Sequence, residues 1–482
     1  MKNPSYLIFL GILSTALLFG CAKSTETVVI DSGGLTTSTP RSEAKRVNTS
    51  SLAPNLRFVY ARIGELADIH TFDPLFITNN TEKRVLGQVY EGLTSRDLYG
   101  NIKPGLAKKW RVNRDSTEYT FTLSEKAFFH PSEVFASGAG RRVVASDIRY
   151  VFERMAMANV PEQASLLFED IEGFDVFKAE QHQVKIPDQR AYRGVSGIEI
   201  ENDSTIVFTL DGTSAGFLQR LSDPVSAIYP RESVDSRDRK VDTPVGTGPF
   251  SVLRVEQNKL ILTSNEEYRD TPPITDRIDI EFGLSEKELF QKLAREELDV
   301  LIELGPLSME SMLDGNQNLS PAYLDSYNLE RHSSYTEYPV YYNPASKRDN
   351  EVARILSSVE TVSFSWPAQV EVYFPEGATS VDTTTTEKEN VISATVTHPF
   401  EMALISEMAK QAASQNLVFS LMPSYAITES VSISTRWFNG LQRIASLRAP
   451  YMSLSNKRVQ GIRFGNTPGN VDFTQLRINQ DP

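Results

Sequence analysis

The fold class of this chain is decided by two consecutive segments, Glu118-Tyr119-Thr120-Phe121-Thr122-Leu123 and Ser146-Asp147-Ile148-Arg149-Tyr150-Val151-Phe152-Glu153-Arg154-Met155. The first segment alternates polar and apolar side chains, which is the period of a half-buried strand. In the second, apolar residues recur every three or four positions behind Ser146, a residue type that caps helices. A strand followed by an amphipathic helix predicts a mixed α/β protein.

The same alternation of elements continues outward from these segments. Further strands are predicted at residues 57–60, 205–210, 299–302 and 417–421, and further helices at 286–298 and 400–415. The second of these helices should end near Gln415, and the first begins with the capping box Ser285-Glu286-Lys287-Glu288. Residues 379–390 contain a run of four threonines and are predicted to be a surface insertion.

The N-terminus resembles the signal peptide and lipobox of a bacterial lipoprotein. Lys2 precedes an apolar run from Leu7 to Phe19, and the run closes on Cys21, the only cysteine of the chain. The run is too short for a membrane-spanning helix, which needs about 20 residues. We therefore predict a signal peptide at residues 1–20 and a lipid on Cys21. An ordinary secretory signal with an incidental Cys21 is the alternative.

Residues 21–55 are rich in serine, threonine and charged side chains, and they predict a flexible tether with a reach of roughly 30 Å. Removal of residues 1–20 takes Lys2 away and moves the net charge from -13 to -14. This acidity argues against a nucleic-acid partner. None of the five histidines lies within helical reach of another, so no metal site or cofactor is predicted.

Two glycine-rich turns invite functional interpretations. Gly212-Thr213-Ser214-Ala215-Gly216 matches the nucleophile elbow of serine esterases, with His332 and His398 available downstream, but a plain strand-to-helix turn explains it equally simply. Gly246-Thr247-Gly248-Pro249-Phe250 lacks the features of a phosphate loop. We expect positive φ angles at its two glycines.

A series of short blocks resembles family 5 of the extracellular solute-binding proteins, the oligopeptide and dipeptide receptors of ABC importers. Their order and spacing agree with the family from about Phe58 to Ile302. The blocks are Phe72-Asp73-Pro74, Val89–Thr94, Asn101–Trp110, Tyr119–Leu123, Phe128-Phe129-His130, Ala145–Arg154, Gly246–Phe250 and Asn265–Tyr268.

The resemblance is weaker beyond Ile302. Pro339-Val340-Tyr341-Tyr342-Asn343 is similar to a family strand, but the helix after it is shortened to residues 349–360. The family's acidic Trp-x-x-Asp-Tyr-x-Asp-Pro segment, whose Asp holds a peptide amino terminus, is not found, and Arg436-Trp437-Phe438 is the nearest match. The helix and strand at residues 400–421 and the segment from Val459 to Ile478 resemble the family again.

The resemblance implies a two-lobe α/β fold like that of periplasmic binding proteins, with a discontinuous first lobe and a hinge that closes the lobes around a ligand. Lobe I would comprise residues 56–259 and 450–482, and lobe II residues 260–449. The implied partners are a peptide or similar solute and an ABC importer permease. We expect a non-enzymatic monomer in the cell envelope, held to the membrane by its lipid and facing the periplasm or the exterior.

The resemblance places three segments at the ligand cleft. The candidate binding residues are Thr78, Asn79, Asn80, Glu303, Gly305 and Trp437. Thr78 and Asn80 can exchange hydrogen bonds with a peptide backbone, and Trp437 offers a flat apolar wall. Glu303 can replace the missing Asp as partner of a ligand ammonium, or it can simply face solvent at a strand end.

Three function classes stay open on the sequence alone. The first is an import receptor for a peptide or similar solute. The second is a lipoprotein that has kept the fold but lost transport, and acts as a sensor or scaffold. The third is a secreted esterase built on Ser214.

The lipoprotein interpretation predicts that Cys21→Ala releases the protein from the membrane fraction. Two or more acyl chains on Cys21 give stable attachment, at about 0.8 kcal/mol for each buried CH₂ group. Fractionation and immunoblotting of cells that carry wild type or variant measure the change. A variant that stays membrane-bound after a high-salt wash contradicts the interpretation.

Overall fold

The computed structural model describes residues 58–235, 240–342, 364, 369–372, 390–395, 398–413, 417–421, 431–434 and 442–479. Cys21, the predicted signal peptide and tether, the shortened helix at 349–360, the threonine-rich segment at 379–389 and Trp437 lie outside these residues. The described part is a mixed α/β structure, as the sequence predicts.

The helices are α1 Asn80–Val89, α2 Ala145–Met155, α3 Glu162–Leu166, α4 Phe174–Gln183, α5 Phe217–Arg220, α6 Glu286–Ala294, α7 Pro306–Met312 and α8 Pro399–Ala413. Single turns of 3₁₀ helix occur at Pro74–Phe76, Pro187–Gln189, Pro224–Ser226 and Arg231–Ser233.

The strands of the first half are β1 Tyr60–Gly64, β2 Thr94–Arg96, β3 Ile102–Pro104, β4 Ala107–Val112, β5 Glu118–Leu123, β6 Ile198–Asn202, β7 Thr205–Thr209, β8 Phe250–Glu256, β9 Lys259–Ser264, β10 Arg277–Glu281 and β11 Val300–Leu301. Those of the second half are β12 Tyr327–Tyr342, β13 Gln369–Val372, β14 Asn390–Thr395, β15 Leu417–Leu421, β16 Val431–Ser434, β17 Gln442–Asn456, β18 Val459–Gln460, β19 Arg463–Phe464, β20 Val471–Asp472 and β21 Arg477–Ile478.

Local sequence explains where the helices begin. Ser285 caps α6 through the predicted capping box: its hydroxyl accepts from the Glu288 N–H, and the Glu288 carboxylate accepts from the Ser285 N–H at 2.9 Å. Helix α2 begins one residue before the predicted Ser146, because the Asp147 carboxylate reaches back to the Val144 N–H at 3.0 Å. The predicted helix at 286–298 is shorter in the structure and ends at Ala294.

One large sheet runs through the described part, and its strands follow the order β15-β14-β16-β12-β17-β11-β1-β10-β9-β8. Strand β13 pairs with β17 off this path. Strand β1 lies parallel to both of its neighbours, β10 and β11. It starts at Tyr60, three residues after the predicted start of the first strand.

The longest pairing of this sheet joins β12 and β17, of 16 and 15 residues, in antiparallel register. The register shifts between Arg331 and Tyr335, so the residues between them form a bulge or irregularity in the ladder. A bulge bends the strand that carries it and increases the local twist. The long strand pair therefore has a built-in bend near its middle.

The apolar residues form two separate cores. The first core collects buried side chains from Ala61 to Ile302 and again from Tyr451 to Leu476. The second core consists of Leu66 and buried side chains from Leu289 to Leu454. The first core is thus discontinuous in sequence, and β12 and β17 connect the region of one core with that of the other. The lobe boundaries given above stay a prediction.

Side chains of the sequence blocks hold the first core together. The Glu91 carboxylate pairs with Arg269 and accepts hydrogen bonds from Tyr268 and Thr247, both at 2.8 Å. These contacts join three blocks that are far apart in sequence. They show that Glu91 is a structural residue.

Asp73 has a similar structural role. Its carboxylate accepts two hydrogen bonds from Arg154, at 3.0 and 2.6 Å, and one from the Val241 N–H at 3.0 Å. Arg154 also contacts the hydroxyl of Tyr229 at 2.6 Å, and all of these side chains are buried. Burial of this ion pair is tolerated because its hydrogen bonds are satisfied.

The expectation of positive φ angles at Gly246 and Gly248 is wrong, because neither lies in that region. Both are needed for close backbone approach instead. A Cβ at Gly246 would overlap the carbonyl oxygen of Val89, and one at Gly248 would lie 2.5 Å from the carbonyl oxygen of Gln88. His130 fastens the same turn through its Nε2, 2.9 Å from the Gly248 oxygen.

The close approach predicts opposite effects for two glycine substitutions. Gly246→Ala should lower the free energy of unfolding by about 1–3 kcal/mol or more, because backbone atoms must move. The matched control Gly87→Ala, in α1 with no atom within 4 Å of its added Cβ, should raise it by about 0.5–1 kcal/mol. Urea titrations measure both. Equal stability of the two variants contradicts the packing account.

Candidate functional site

A buried guanidinium marks the place where the two cores meet. Arg84 lies on α1 and is 0% exposed, as is its partner Glu65 just beyond β1. The Arg84 Nε and Nη2 atoms contact the two Glu65 oxygens at 3.0 and 2.5 Å. Thr81 donates to the same carboxylate at 2.9 Å, and Arg84 Nη1 donates to the Pro468 carbonyl oxygen at 2.8 Å. This bidentate geometry commits the Arg84 charge mainly to Glu65.

Glu303, predicted as a ligand residue, is buried beside this pair and does not face solvent. It follows β11 and lies between Ile302 of the first core and Leu304 of the second. Its Oε1 accepts a hydrogen bond from the Tyr338 hydroxyl, and Arg84 Nη2 is 3.5 Å from its Oε2. A carboxylate in this position links α1 to strand β12.

His398 approaches the same carboxylate from α8, with Nε2 3.6 Å from Glu303 Oε2. The other ring nitrogen, Nδ1, accepts from the Phe400 N–H at 3.3 Å, and the Glu401 carboxylate accepts from the His398 N–H at 3.0 Å. This is the reciprocal pattern of a helix capping box. Because Nδ1 acts as an acceptor, the ring proton lies on Nε2 and the imidazole is neutral.

Burial raises the pKa of Glu303, but its contacts with His398, Arg84 and Tyr338 lower that pKa overall, to about 2. The carboxylate is therefore ionised at neutral pH. Burial also raises the pKa of the Tyr338 hydroxyl, as does the Glu303 carboxylate it contacts. Glu303 is thus an anionic group held between the two cores.

Aromatic rings form the hinge side of this cluster. Tyr451 of β17 lies under the Arg84 guanidinium, 5.8 Å from ring centroid to charge centre. His332, in the bulge of β12, packs against Tyr451 and Phe464 at centroid distances of 4.5 and 4.2 Å. Burial, with the nearby Arg84 charge, lowers the pKa of His332 to about 4, so this ring is neutral. We call Glu65, Arg84, Glu303, Tyr338, His398 and Tyr451 the hinge cluster.

The other predicted ligand residues have structural contacts at helix ends. Asn79 caps α1 through its Oδ1, which accepts from the Glu82 N–H at 2.8 Å. The Thr78 N–H and hydroxyl both donate to the Glu82 carboxylate, at 2.7 and 3.0 Å. Asn80 is the first residue of α1, half-buried beside a groove described below. These residues reach the hinge cluster only through α1 itself.

Gly305 caps α7, and its lack of a side chain admits the carboxylate of Glu286. A Cβ at this position would lie 2.6 Å from either Glu286 oxygen. That carboxylate accepts from the Leu307 and Ser308 N–H groups at 3.2 and 2.6 Å. The glycine is thus explained by packing at a helix start, and Trp437 lies outside the described residues.

Ser214 is held in an ion pair and has no histidine among its hydrogen-bond partners in the described residues. Its hydroxyl donates to Asp170, and Arg220 contacts both groups, Asp170 Oδ2 at 2.5 Å and Ser214 Oγ at 3.0 Å. Gly216 has a φ of +85° and begins the short helix α5. This geometry fits the turn interpretation of the motif.

A groove of about 870 Å³ runs along α1. Its lining includes Asn80, Lys83 and Tyr99. The charges in it are paired with one another: Lys83 Nζ is 3.6 Å from Asp223, and Arg463 pairs with Asp472. No excess of charge therefore favours a charged ligand there.

Within the described ranges, no helix has the length and apolarity needed to cross a membrane. The same residues contain no cluster of three or more histidine, cysteine or acidic side chains that could hold a metal ion.

Comparison with known proteins shows the family. The model for bacterial extracellular solute-binding proteins, family 5 Middle, matches residues 101–350, more than half of the 482 residues. Di/tripeptide-binding protein 1 of Pseudomonas aeruginosa is 26% identical over 286 residues, which cover 57% of this chain and 50% of that protein. Dipeptide-binding protein DppE of Bacillus subtilis is 27% identical over 259 residues, 52% of this chain and 44% of that protein.

A further relative is described by a different ligand. Heme-binding protein A of Haemophilus influenzae is 27% identical over 242 residues, 48% of this chain and 41% of that protein. The chain spans about half the length of the curated relatives it matches.

Solved structures show the fold over most of the chain. The murein tripeptide binding protein MppA of Escherichia coli superposes with a TM-score of 0.66 at 13% identity, over 87% of this chain and 98% of that one. DppA of Helicobacter pylori in complex with the peptide STSA gives 0.63 at 16% identity, with the same coverage. These are two-lobe periplasmic binding protein structures, so the predicted fold class is confirmed.

Several residues of the hinge cluster were not predicted from the sequence. Arg84 and Glu65 are 19 positions apart, and no motif pairs them. The string His398-Pro399-Phe400-Glu401 carries a capping-box signal, but nothing in it indicates that the ring faces Glu303. With a matching model over half its length and a two-lobe fold built on two cores, this chain belongs to the bacterial extracellular solute-binding proteins of family 5.

Proposed function

We propose that this protein is a lipid-anchored receptor outside the cytoplasm that binds a peptide or similar solute and delivers it to an ABC importer. The anionic Glu303, buried at the junction of the two cores, is the observation that carries the proposal. A ligand that enters between the lobes meets this carboxylate, and the lobes can close over it by bending at the long strand pair.

The names of the relatives support the peptide class. They are described as di- and tripeptide-binding proteins, and one solved neighbour holds a bound peptide. A free peptide carries an ammonium at its amino terminus, and Glu303 is a buried anion that can pair with it. In this proposal Glu303 takes the part of the acidic segment that the sequence lacks.

The remaining features of the proposal rest on the sequence. The signal peptide and Cys21 predict attachment to a membrane through a lipid. The protein acts as a monomer that needs neither metal nor cofactor, since binding requires no catalytic group. The ABC importer permease is its partner by analogy with the family.

The second candidate is a family member that has lost transport and acts as a sensor or scaffold. One observation favours it: protein groups already surround the Glu303 carboxylate, namely Tyr338, Arg84 and His398. A ligand ammonium must displace or rearrange some of these contacts. No observation favours the esterase, because Ser214 donates its proton to Asp170.

The proposal predicts that Glu303→Gln weakens peptide binding by roughly 10- to 150-fold. Loss of a charge-assisted hydrogen bond costs about 1.5–3 kcal/mol of binding free energy. Titration calorimetry with a pool of short peptides measures it, and Glu133→Gln, at an exposed position, is the matched control. Equal binding by wild type and Glu303→Gln excludes this role for Glu303. A wild type that binds no peptide makes the sensor or scaffold the leading function.

A further inference from the structure

Two buried hydroxyl groups beside the hinge cluster have no hydrogen-bond partner. They are Thr336 Oγ1 and Tyr451 Oη, on side chains of residues that are 5% and 1% exposed. An unsatisfied buried polar group costs about 1–3 kcal/mol, so each needs an explanation. In this protein both lie on the strand pair that joins the two cores.

The strand register places the two hydroxyls on one face of the sheet. Thr336 is opposite Ala449, and Tyr338 is opposite Leu447. Residues directly opposite in an antiparallel pair point to the same side, and the side alternates along each strand. Tyr451, two residues beyond Ala449, therefore shares a face with Thr336 and Tyr338. This is the face on which Tyr338 contacts Glu303.

Neither hydroxyl is satisfied by its closest polar neighbours. Thr336 lies near enough to the Tyr338 hydroxyl to influence it, but not in hydrogen-bonding geometry. The same holds for Tyr451 and Arg84, whose guanidinium lies over the ring. Arg84 directs its N–H groups to Glu65, Thr81 and the Pro468 carbonyl oxygen. Thus the hydroxyl oxygens remain free to accept a hydrogen bond.

The charges of the hinge cluster favour a cation as the missing donor. Glu65 and Glu303 contribute two negative charges, and Arg84 contributes one positive charge that is committed mainly to Glu65. His398 is neutral, because its Nδ1 accepts the Phe400 N–H. One negative charge, centred on Glu303, therefore lacks a full counter-charge in a buried place.

We propose that Glu303, Thr336 and Tyr451 together form the acceptor set for a primary ammonium group of the ligand. A primary ammonium has three N–H donors and no acceptor, which matches one carboxylate and two unpartnered hydroxyl oxygens. The proposal rests on the solute-binding function above, and it adds Thr336 and Tyr451 as binding residues. It also sets the ligand class: solutes with a free primary amine bind, and their N-acylated forms are rejected.

The substitutions Thr336→Val and Tyr451→Phe test this assignment because they remove the hydroxyls and keep the shapes. Each should weaken binding of a pool of unblocked di- and tripeptides about 10-fold or more in titration calorimetry. The same pool after N-acetylation should bind wild type no better than it binds the variants. Without ligand, both variants should be at least as stable as wild type in urea, since an unsatisfied group has been removed.

Tyr90→Phe is the matched control. The Tyr90 hydroxyl is also buried but donates to the Phe72 carbonyl oxygen at 3.1 Å. Its loss should lower stability and leave peptide affinity unchanged, which is the opposite pattern.

The outcomes separate this inference from the receptor function. If wild type binds the unblocked pool and both variants bind it equally well, the hydroxyls take no part and the inference is overturned while the receptor stands. Equal binding together with a loss of stability in the variants assigns the hydroxyls to an ordered water instead. If wild type binds neither pool, the peptide-receptor function itself fails, and the ammonium site fails with it.

Discussion

The buried carboxylate of Glu303 is the interaction on which the junction of the two cores depends. An ionised group out of contact with water is tolerated only when other polar groups surround it. The groups that do so come from α1, from β12 and from the start of α8, which are distant in sequence and belong to different cores. The position of this one charge therefore fixes how three elements meet.

The first core supplies a rigid frame for that junction. Ion pairs such as Asp73 with Arg154 and Glu91 with Arg269 join the conserved-order blocks of the sequence from inside. Their residues resemble a binding motif in one dimension, but in three dimensions they are occupied by each other. Function is consequently left to the region where the cores meet, and the strands β12 and β17 carry the bend that a two-lobe receptor needs.

The sequence predicted most of the local structure and little of the site. Strand β15 has the predicted bounds, and the Ser285 capping box forms as expected, because both depend on neighbouring residues only. Glu303 was selected correctly as unusual, but its burial depends on Arg84, more than 200 positions away in the chain. Unpartnered hydroxyls such as that of Tyr451 are invisible to any periodicity, since they are defined by what is missing around them.

A crystal structure of the protein with a bound unblocked peptide tests the account most directly. The account predicts the peptide's amino nitrogen at about 2.7–3.2 Å from a Glu303 carboxylate oxygen, with the two lobes closed over the ligand. A peptide whose amino nitrogen is bound elsewhere, with Glu303 still held by Tyr338 as in the structure described, contradicts it.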